Sequence, residues 1–219
     1  MLKNLQLKQK VTILLLVILV VGLGISGFTL SSLLRQNAKN EITSKTLSLI
    51  DTITSVRDYT VTQITPELTP QLETKFLPQT VSAYSAREVF EILRKKGDYR
   101  DFFYKEAALN PTNLRDKADS FETKIIQKFL NDKNLKELDG FRSIPGGDIF
   151  YIARPLTVSH ESCLACHSTP EVAPKTMIER YGSTNGFGWK LNQIVAAQII
   201  TIPASQVIDK ANKDSLVIL

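Results

Sequence analysis

Both cysteines of the chain lie in one six-residue stretch, Ser162-Cys163-Leu164-Ala165-Cys166-His167, in which a histidine directly follows the second cysteine. The spacing C-x-x-C-H is the attachment motif for c-type haem. In that chemistry two thiols add across the vinyl groups of the porphyrin, and the adjacent imidazole binds the iron as proximal axial ligand. The sequence therefore predicts one covalent haem c, attached to Cys163 and Cys166, with His167 as a ligand of the iron.

Three other chemistries use the same residue types. A redox dithiol usually lies at a helix start after a βαβ pattern, which this chain lacks. A zinc site would draw His160 and His167 together with the two cysteines, but these four donors crowd into eight residues, whereas structural zinc sites usually use two separated pairs. A plain disulfide is compatible with an exported chain. Haem attachment is the favoured interpretation, and the other three stay open.

The sixth coordination position of such an iron has weak candidates in this sequence. His160 lies seven residues before His167, and Met177 lies ten residues after it. A methionine ligand is typical of electron-transfer cytochromes, but a methionine also fills gaps in hydrophobic cores. Tyr59 and Tyr104 are further candidates, although aromatic residues in strands mostly pack. We expect an open or exchangeable position, which would bind a diatomic gas or another small ligand.

Other polar residues suggest contacts with the porphyrin. Arg57 and Arg154 are candidate partners of the haem propionates, because a guanidinium matches the two oxygens of a carboxylate. The glycine-rich segment 181–189 would let the backbone approach the cofactor closely. Nothing in the chain resembles a catalytic triad, a phosphate-binding loop or a paired-carboxylate site, so we do not expect an enzyme.

A membrane segment is predicted near the N-terminus. Val11–Leu34 is a run of 24 residues without a charge, and it follows Lys3, Lys8 and Lys10. A helix of that length covers about 36 Å, enough to cross a bilayer with some tilt. The positive-inside rule places residues 1–10 in the cytoplasm and the chain after the segment outside it, in a periplasm or lumen. A cleaved secretory signal is the alternative, but its apolar run is usually shorter.

The charge distribution argues against a nucleic-acid partner. The chain has 219 residues and a formal net charge of +5. From Arg35 onward, however, it holds 24 Lys and Arg against 22 Asp and Glu, a net of +2. A nucleic-acid-binding domain would show a basic face. The membrane and a protein partner, either a second copy or a separate signalling or redox protein, are the expected partners.

Hydrophobic periodicity and turn residues predict the elements that position the motif. Helices are predicted over residues 35–65, 84–96, 115–131 and about 204–217. Strands are predicted over residues 99–109, 141–144, 149–158 and 191–202, and the motif falls in a loop after the third of them. Hairpin-connected strands with segregated helices indicate an α+β fold with an antiparallel sheet. The domain organisation that follows is a membrane-proximal helix over 35–65, a binding domain over 47–207 and a helix end over 208–219.

Several stretches of the sequence resemble one known family. Besides the segment from Glu161 to Pro170, the matching stretches are 56–60, 76–81, 84–90, 104–107, 110–113, 150–155 and 185–189. Together they resemble exported c-type haem domains with a PAS-like fold, found in bacteria alone or at the N-termini of receptor histidine kinases and cyclases. The resemblance covers roughly Leu47 to Val207.

The resemblance implies a PAS-like antiparallel sheet with flanking helices, and haem held between the sheet and the C-x-x-C-H segment. It also implies a sensory or redox role. Some members are thought to use a cysteine of the N-terminal helical segment as the second axial ligand. This chain has no cysteine there, so that ligation does not carry over.

Three functions follow as hypotheses. The first is a membrane-anchored, extracytoplasmic haem sensor that responds to redox state or to a small ligand. The second is a monohaem electron-transfer cytochrome, which needs no output domain. The third is a haem-free small-molecule receptor in which Cys163 and Cys166 form a disulfide. Binding of carbon monoxide to the reduced protein separates the first two, and a haem assay separates both from the third.

Overall fold

Residues 6–206 are described by the structure, a computed structural model. The described residues divide into two units, one with residues 6–42 and 205–206, the other Thr43–Ala204. The long helix α1, Leu7–Tyr59, begins in the first unit and ends in the second. The predicted helix over residues 35–65 is therefore confirmed in its main part.

The first unit contains the apolar part of α1. An 18-residue window there has a mean hydropathy of 2.7, and none of it is buried. Its large aliphatic side chains between Val11 and Leu33 are mostly exposed. By length and composition this helix is able to cross a membrane, and a signal sequence near an N-terminus has the same properties. The choice between anchor and cleaved signal stays a prediction.

The second unit is built on a four-stranded antiparallel sheet with the spatial order β1-β4-β3-β2. Its strands are β1 Phe103–Ala108, β2 Leu138–Ile144, β3 Gly147–Thr157 and β4 Ile194–Pro203. The predicted hairpin is confirmed, because β2 and β3 are joined through Pro145 and Gly146, whose φ is +104°. The apolar, β-branched β4 lies inside the sheet between β1 and β3, as expected for a strand buried on both faces.

Short helices surround the sheet. After α1 a π-helical turn spans Thr60–Ile64, and the helices that follow are α2 Thr65–Leu68, α3 Ser82–Arg94, α4 Ser120–Asn131, α5 Leu164–His167 and α6 Lys175–Tyr181. Single 3₁₀ turns occupy Thr69–Glu73, Pro78–Thr80, Gly97–Tyr99, Leu114–Asp116 and Glu161–Cys163. The prolines at 66, 70 and 78 each lie in the first turn of one of these short pieces, where the missing amide donor costs nothing.

The two faces of the sheet have different uses. Side chains alternate along a strand, so Tyr151 and Ala153 point to one face and Phe150 and Ile152 to the other. The first face packs on α4 through a buried cluster: Ala107, Ile125, Ile126, Phe129, Tyr151, Ala153, Ala197 and Ile199. Asp119 caps α4, accepting from the amides of Phe121 and Glu122 at 2.8 Å. The opposite face contacts α1 and α3, for example through Thr54 with Gln198 and Phe90 with Tyr104, and part of it borders the site.

The α+β class is confirmed, and likeness to a PAS fold stays a prediction. Three details of the predicted elements were wrong. The motif lies in a helical turn rather than a loop, since four helical residues are too few to show a period. Gly97 was expected to cap the helix over 84–96, but it opens a 3₁₀ turn, and Lys95 caps α3. Pro203 was expected in the first turn of the last helix, but it ends β4. Helical residues begin at Ala204, and the predicted helix beyond 206 lies outside the described residues.

Candidate functional site

The cysteine motif lies in two short helical turns that follow β3. The amide of Val158 donates to the carbonyl of Gln193 at 2.9 Å, and the amide of Asn192 donates back to Val158 at 2.8 Å. These bonds fix the end of β3 beside the start of β4. Cys163 ends the 3₁₀ turn, and Cys166 lies three residues on, inside α5. Residues three apart on a helical turn share a face, so both thiols can reach one ligand edge.

His167 is fixed by three neighbours. Its Nδ1 lies 2.8 Å from the carbonyl oxygen of Gly186 and 3.4 Å from Oγ1 of Thr112. Its ring stacks on Trp189 with centroids 3.9 Å apart and an interplanar angle of 16°. A carbonyl oxygen only accepts, so Nδ1 carries the proton and Nε2 keeps its lone pair. A second-sphere bond of this kind is what orients a histidine that binds a metal.

The surroundings of His167 favour its neutral form, which is the form that binds a metal. Burial lowers the pKa of His167; the Gly186 bond raises it in part, and the charge on Arg57 lowers it further. Burial, together with neighbouring Cys163, raises the pKa of the Cys166 thiol. The two thiols are half-buried and not bonded to each other. Within residues 6–206 no three His, Cys, Asp or Glu side chains gather into a metal-binding group, so the zinc alternative finds no ligand set there.

The glycine-rich segment packs closely beside His167. Gly186, at φ +84°, is packed so closely on Thr112 that a Cβ would lie 2.0 Å from the threonine hydroxyl and 2.8 Å from its Cα. The amide of Gly186 donates to Oδ1 of Asn110 at 3.1 Å. The segment therefore brings a backbone carbonyl to His167, and its approach to a cofactor stays a prediction. Sequence reasoning missed the supporting roles of Asn110, Thr112 and Trp189, although all three lie in stretches that carried the family resemblance.

A cavity opens beside the motif on the sheet face away from α4. Its volume is about 200 Å³, below the roughly 300–1,000 Å³ that is usual for ligand clefts in proteins, and it continues into space open to solvent. Cys163, Cys166, His167 and Met177 all line it. Its apolar wall includes Val61, Leu72, Phe76, Val81, Leu156, Val158, Pro174 and Ala196.

A buried ion pair forms part of the cavity wall. Nη1 of Arg57 lies 2.6 and 2.5 Å from the two carboxylate oxygens of Glu106. The hydroxyl of Tyr104 donates to Glu106 at 2.7 Å, and Nε2 of Gln198 donates to Tyr104 at 3.0 Å. Glu106 and Gln198 are cross-strand neighbours, so β1 and β4 supply both groups to the same face. Sequence reasoning did not find Glu106 or Gln198.

The remaining predicted residues lie in different places. Arg57 and Met177 reach the cavity. Arg154 instead bonds to Asp51 and lies 3.6 Å from Glu137, and it is not part of the cavity lining formed by residues 6–206. Nε2 of His160 lies 3.6 Å from the carboxylate of Asp58, also away from that lining. Tyr59 is 59% exposed. Tyr104, by contrast, is buried, and burial together with the nearby Glu106 raises the pKa of its hydroxyl well above the usual value.

Asp116 gives the cavity a pH-sensitive group. Burial and the charge of Glu106 raise its pKa to about 6, while Arg87 and Lys105 act in the opposite direction; Arg115 lies 3.2 Å away. The folded state thus holds this proton more tightly than the unfolded state, so the contribution of Asp116 to stability is fully present below about pH 4 and is lost as pH rises through about 6.

Replacing Asp116 by asparagine is expected to raise stability at alkaline pH. The shift from 3.8 to about 6 sets an upper limit of about 3 kcal/mol, and we expect about 1–2 kcal/mol at pH 8 and almost no change at pH 4. Urea unfolding of the full chain in mild detergent at both pH values measures this difference. A gain of equal size at both pH values would exclude ionisation of Asp116 as its cause.

The donor set fits a covalently held haem. Two thiols share one helical face, an imidazole follows with Nε2 available, and a mostly apolar cavity adjoins them. Bound there, haem would be held by Cys163, Cys166 and His167 and would supply a redox-active iron.

Comparison with known proteins identifies the family and the fold of this chain. A model of the Tll0287-like family (Tll0287) matches residues 35–203, more than half of the chain. The chain belongs to the Tll0287-like family. The crystal structure of the cyanobacterial haem protein Tll0287 matches with a TM-score of 0.54 and 18% sequence identity, covering 74% of this chain and 95% of that chain. At this identity the match shows a shared fold. The comparison with curated proteins found no match.

Proposed function

We propose that this Tll0287-like chain binds one haem covalently through Cys163 and Cys166, with His167 as axial ligand. The observation that carries the proposal is the bond from Nδ1 of His167 to the Gly186 carbonyl at 2.8 Å, which leaves Nε2 as the nitrogen able to bind a metal. The related cyanobacterial Tll0287 is a haem protein, and its fold covers 74% of this chain.

Haem in this cavity fits a role as a membrane-anchored, extracytoplasmic sensor of redox state or of a small ligand. The first support is the apolar helix, which has the length of a membrane span. The second is that the described cavity presents neither His160 nor a cysteine outside the motif, which favours an exchangeable sixth position. A diatomic gas is a suitable ligand for it. The module is not proposed to be an enzyme; it would act through the membrane and a signalling partner or a second copy.

An electron-transfer cytochrome is the second candidate, and one observation favours it. Met177 is 4% exposed and lines the same cavity as His167. A thioether on the iron would give a stable six-coordinate haem with a raised potential. Binding of carbon monoxide to the reduced wild-type protein favours the sensor. If carbon monoxide binds to Met177→Leu but not to wild type, the cytochrome is favoured.

The covalent attachment is tested with cysteine variants. The full chain is produced with a c-type maturation system, denatured and extracted with acidic solvent. We expect haem colour to stay on the wild-type polypeptide and to be lost from Cys163→Ser/Cys166→Ser, because two thioether bonds are then absent. Met177→Leu is the matched control and should retain the colour. Colour that extracts from wild type would overturn covalent attachment, and no colour at all would favour a haem-free receptor.

A further inference from the structure

The guanidinium of Arg57 has hydrogen-bond donors that its ion pair with Glu106 does not occupy. One nitrogen, Nη1, makes both bonds to Glu106. Within residues 6–206 no hydrogen bond involves Nη2 or Nε of Arg57. The side chain is only 17% exposed and lines the cavity beside Cys163 and His167. Among residues 6–206 no buried side-chain nitrogen or oxygen lacks a partner, so these spare donors face the accessible space of the cavity and are available to an acceptor bound there.

Arg57 is also held rigidly. Glu106 accepts from Arg57 and Tyr104, Tyr104 accepts from Gln198, and Oγ1 of Thr54 lies 3.4 Å from Oε1 of Gln198. These groups come from α1, β1 and β4, so the guanidinium is fixed by three elements. A positioned arginine presents its donors at low entropic cost to a small planar or linear anion.

We propose that the cavity binds a small exchangeable anion next to the haem, and that Arg57 is the residue that selects it. The inference rests on the proposed function. It names the class of ligand that the module takes: a small inorganic or carboxylate anion in preference to a neutral gas.

A haem propionate is the other source of the same chemistry. The vinyl-derived groups that bind the cysteines lie on the edge of the porphyrin opposite the propionates. Arg57 lines the cavity together with Cys163 and His167, the residues that would hold the haem. The geometry therefore favours an anion near the iron over a propionate, and the experiment separates the two.

The probe is azide, an anionic ligand, compared with carbon monoxide, which is neutral. The full chain is loaded with haem, covalent attachment is verified by extraction, and azide is titrated into the oxidised form while the Soret band is recorded. The test variant is Arg57→Met/Glu106→Gln, in which both charges of the pair are removed so that neither is left buried alone. Arg87→Met is the matched control, because Arg87 also lines the cavity but pairs with Glu88.

A charge-assisted hydrogen bond contributes about 1.5–3 kcal/mol, so we expect the azide Kd of the double variant to rise roughly 10- to 100-fold. Carbon monoxide affinity should stay within about twofold, and Arg87→Met should leave azide binding nearly unchanged. An unchanged azide Kd in the double variant overturns the inference; if the redox potential moves instead, Arg57 contacts a propionate. A wild type that carries haem but does not bind azide overturns the inference as well. A chain without covalent haem fails the proposed attachment instead.

Discussion

Replacing Glu106 by alanine is expected to lower the free energy of unfolding by about 3–5 kcal/mol. The substitution leaves the Arg57 guanidinium, 17% exposed, without the carboxylate that Nη1 contacts at 2.5 and 2.6 Å. It also removes the acceptor of the Tyr104 hydroxyl. Burial lowers the pKa of Arg57, but Glu106 and the other nearby groups more than offset this and raise it, so the guanidinium stays charged and needs a partner. Breaking a buried pair costs more than the pair contributes, because an uncompensated charge remains.

Urea unfolding of the full chain in mild detergent measures this loss, with the fluorescence of Trp189, the single tryptophan, as the signal. Asp51→Ala is the matched control. It removes a carboxylate partner of Arg154, but Asp51 is 65% exposed and the expected cost is below about 1 kcal/mol. Arg57→Met/Glu106→Gln should recover at least half of the loss, since no lone charge is buried. Equal losses in Glu106→Ala and Asp51→Ala would show that burial of the Arg57 pair has no special effect.

The residues that sequence predicted correctly are those whose chemistry is local. Cys163, Cys166 and His167 lie within five positions, and their spacing alone indicates the ligand. The hairpin was predicted because Pro145-Gly146-Gly147 separates two apolar runs, and in the structure Pro145 and Gly146 form a two-residue turn. β4 was recognisable because a strand buried on both faces is mostly apolar.

The residues that sequence missed act across long separations. Arg57 and Glu106 are 49 positions apart and meet only because β1 lies beside β4 and α1 packs near both. For the same reason Arg57 and Arg154 were indistinguishable as propionate partners: nothing local shows that one lines the cavity while the other pairs with Asp51. The role of the Gly186 carbonyl as the partner of His167 could not be predicted, because every residue has a backbone carbonyl.

Gly186→Ala is expected to be the most damaging substitution of a single small residue in the site, at about 2–5 kcal/mol. Two costs add. A φ of +84° is unfavourable for an L-residue by about 1–2 kcal/mol. The new Cβ would lie 2.0 Å from Oγ1 and 2.8 Å from Cα of Thr112, so backbone must move, and overpacking of this kind costs about 1–3 kcal/mol.

The movement should also disturb the axial ligand. The Gly186 carbonyl that Nδ1 of His167 contacts at 2.8 Å is attached to the residue that must shift. In the haem-loaded chain we therefore expect the visible spectrum of Gly186→Ala to change, because the bond that orients the imidazole is lengthened or lost. The unfolding free energy and this spectrum are two independent measurements of the same contact.

Gly188→Ala measures the cost of backbone strain without the steric clash that Gly186→Ala adds. Gly188 has a φ of +80°, nearly that of Gly186, yet nothing lies within 4 Å of where its Cβ would be. Its cost should be limited to about 1–2 kcal/mol of backbone strain, with an unchanged spectrum. Adding Thr112→Ala to Gly186→Ala removes the hydroxyl contact at 2.0 Å and should restore part of the stability. If Gly186→Ala and Gly188→Ala cost the same, the close packing of Gly186 on Thr112 does not hold the segment against His167.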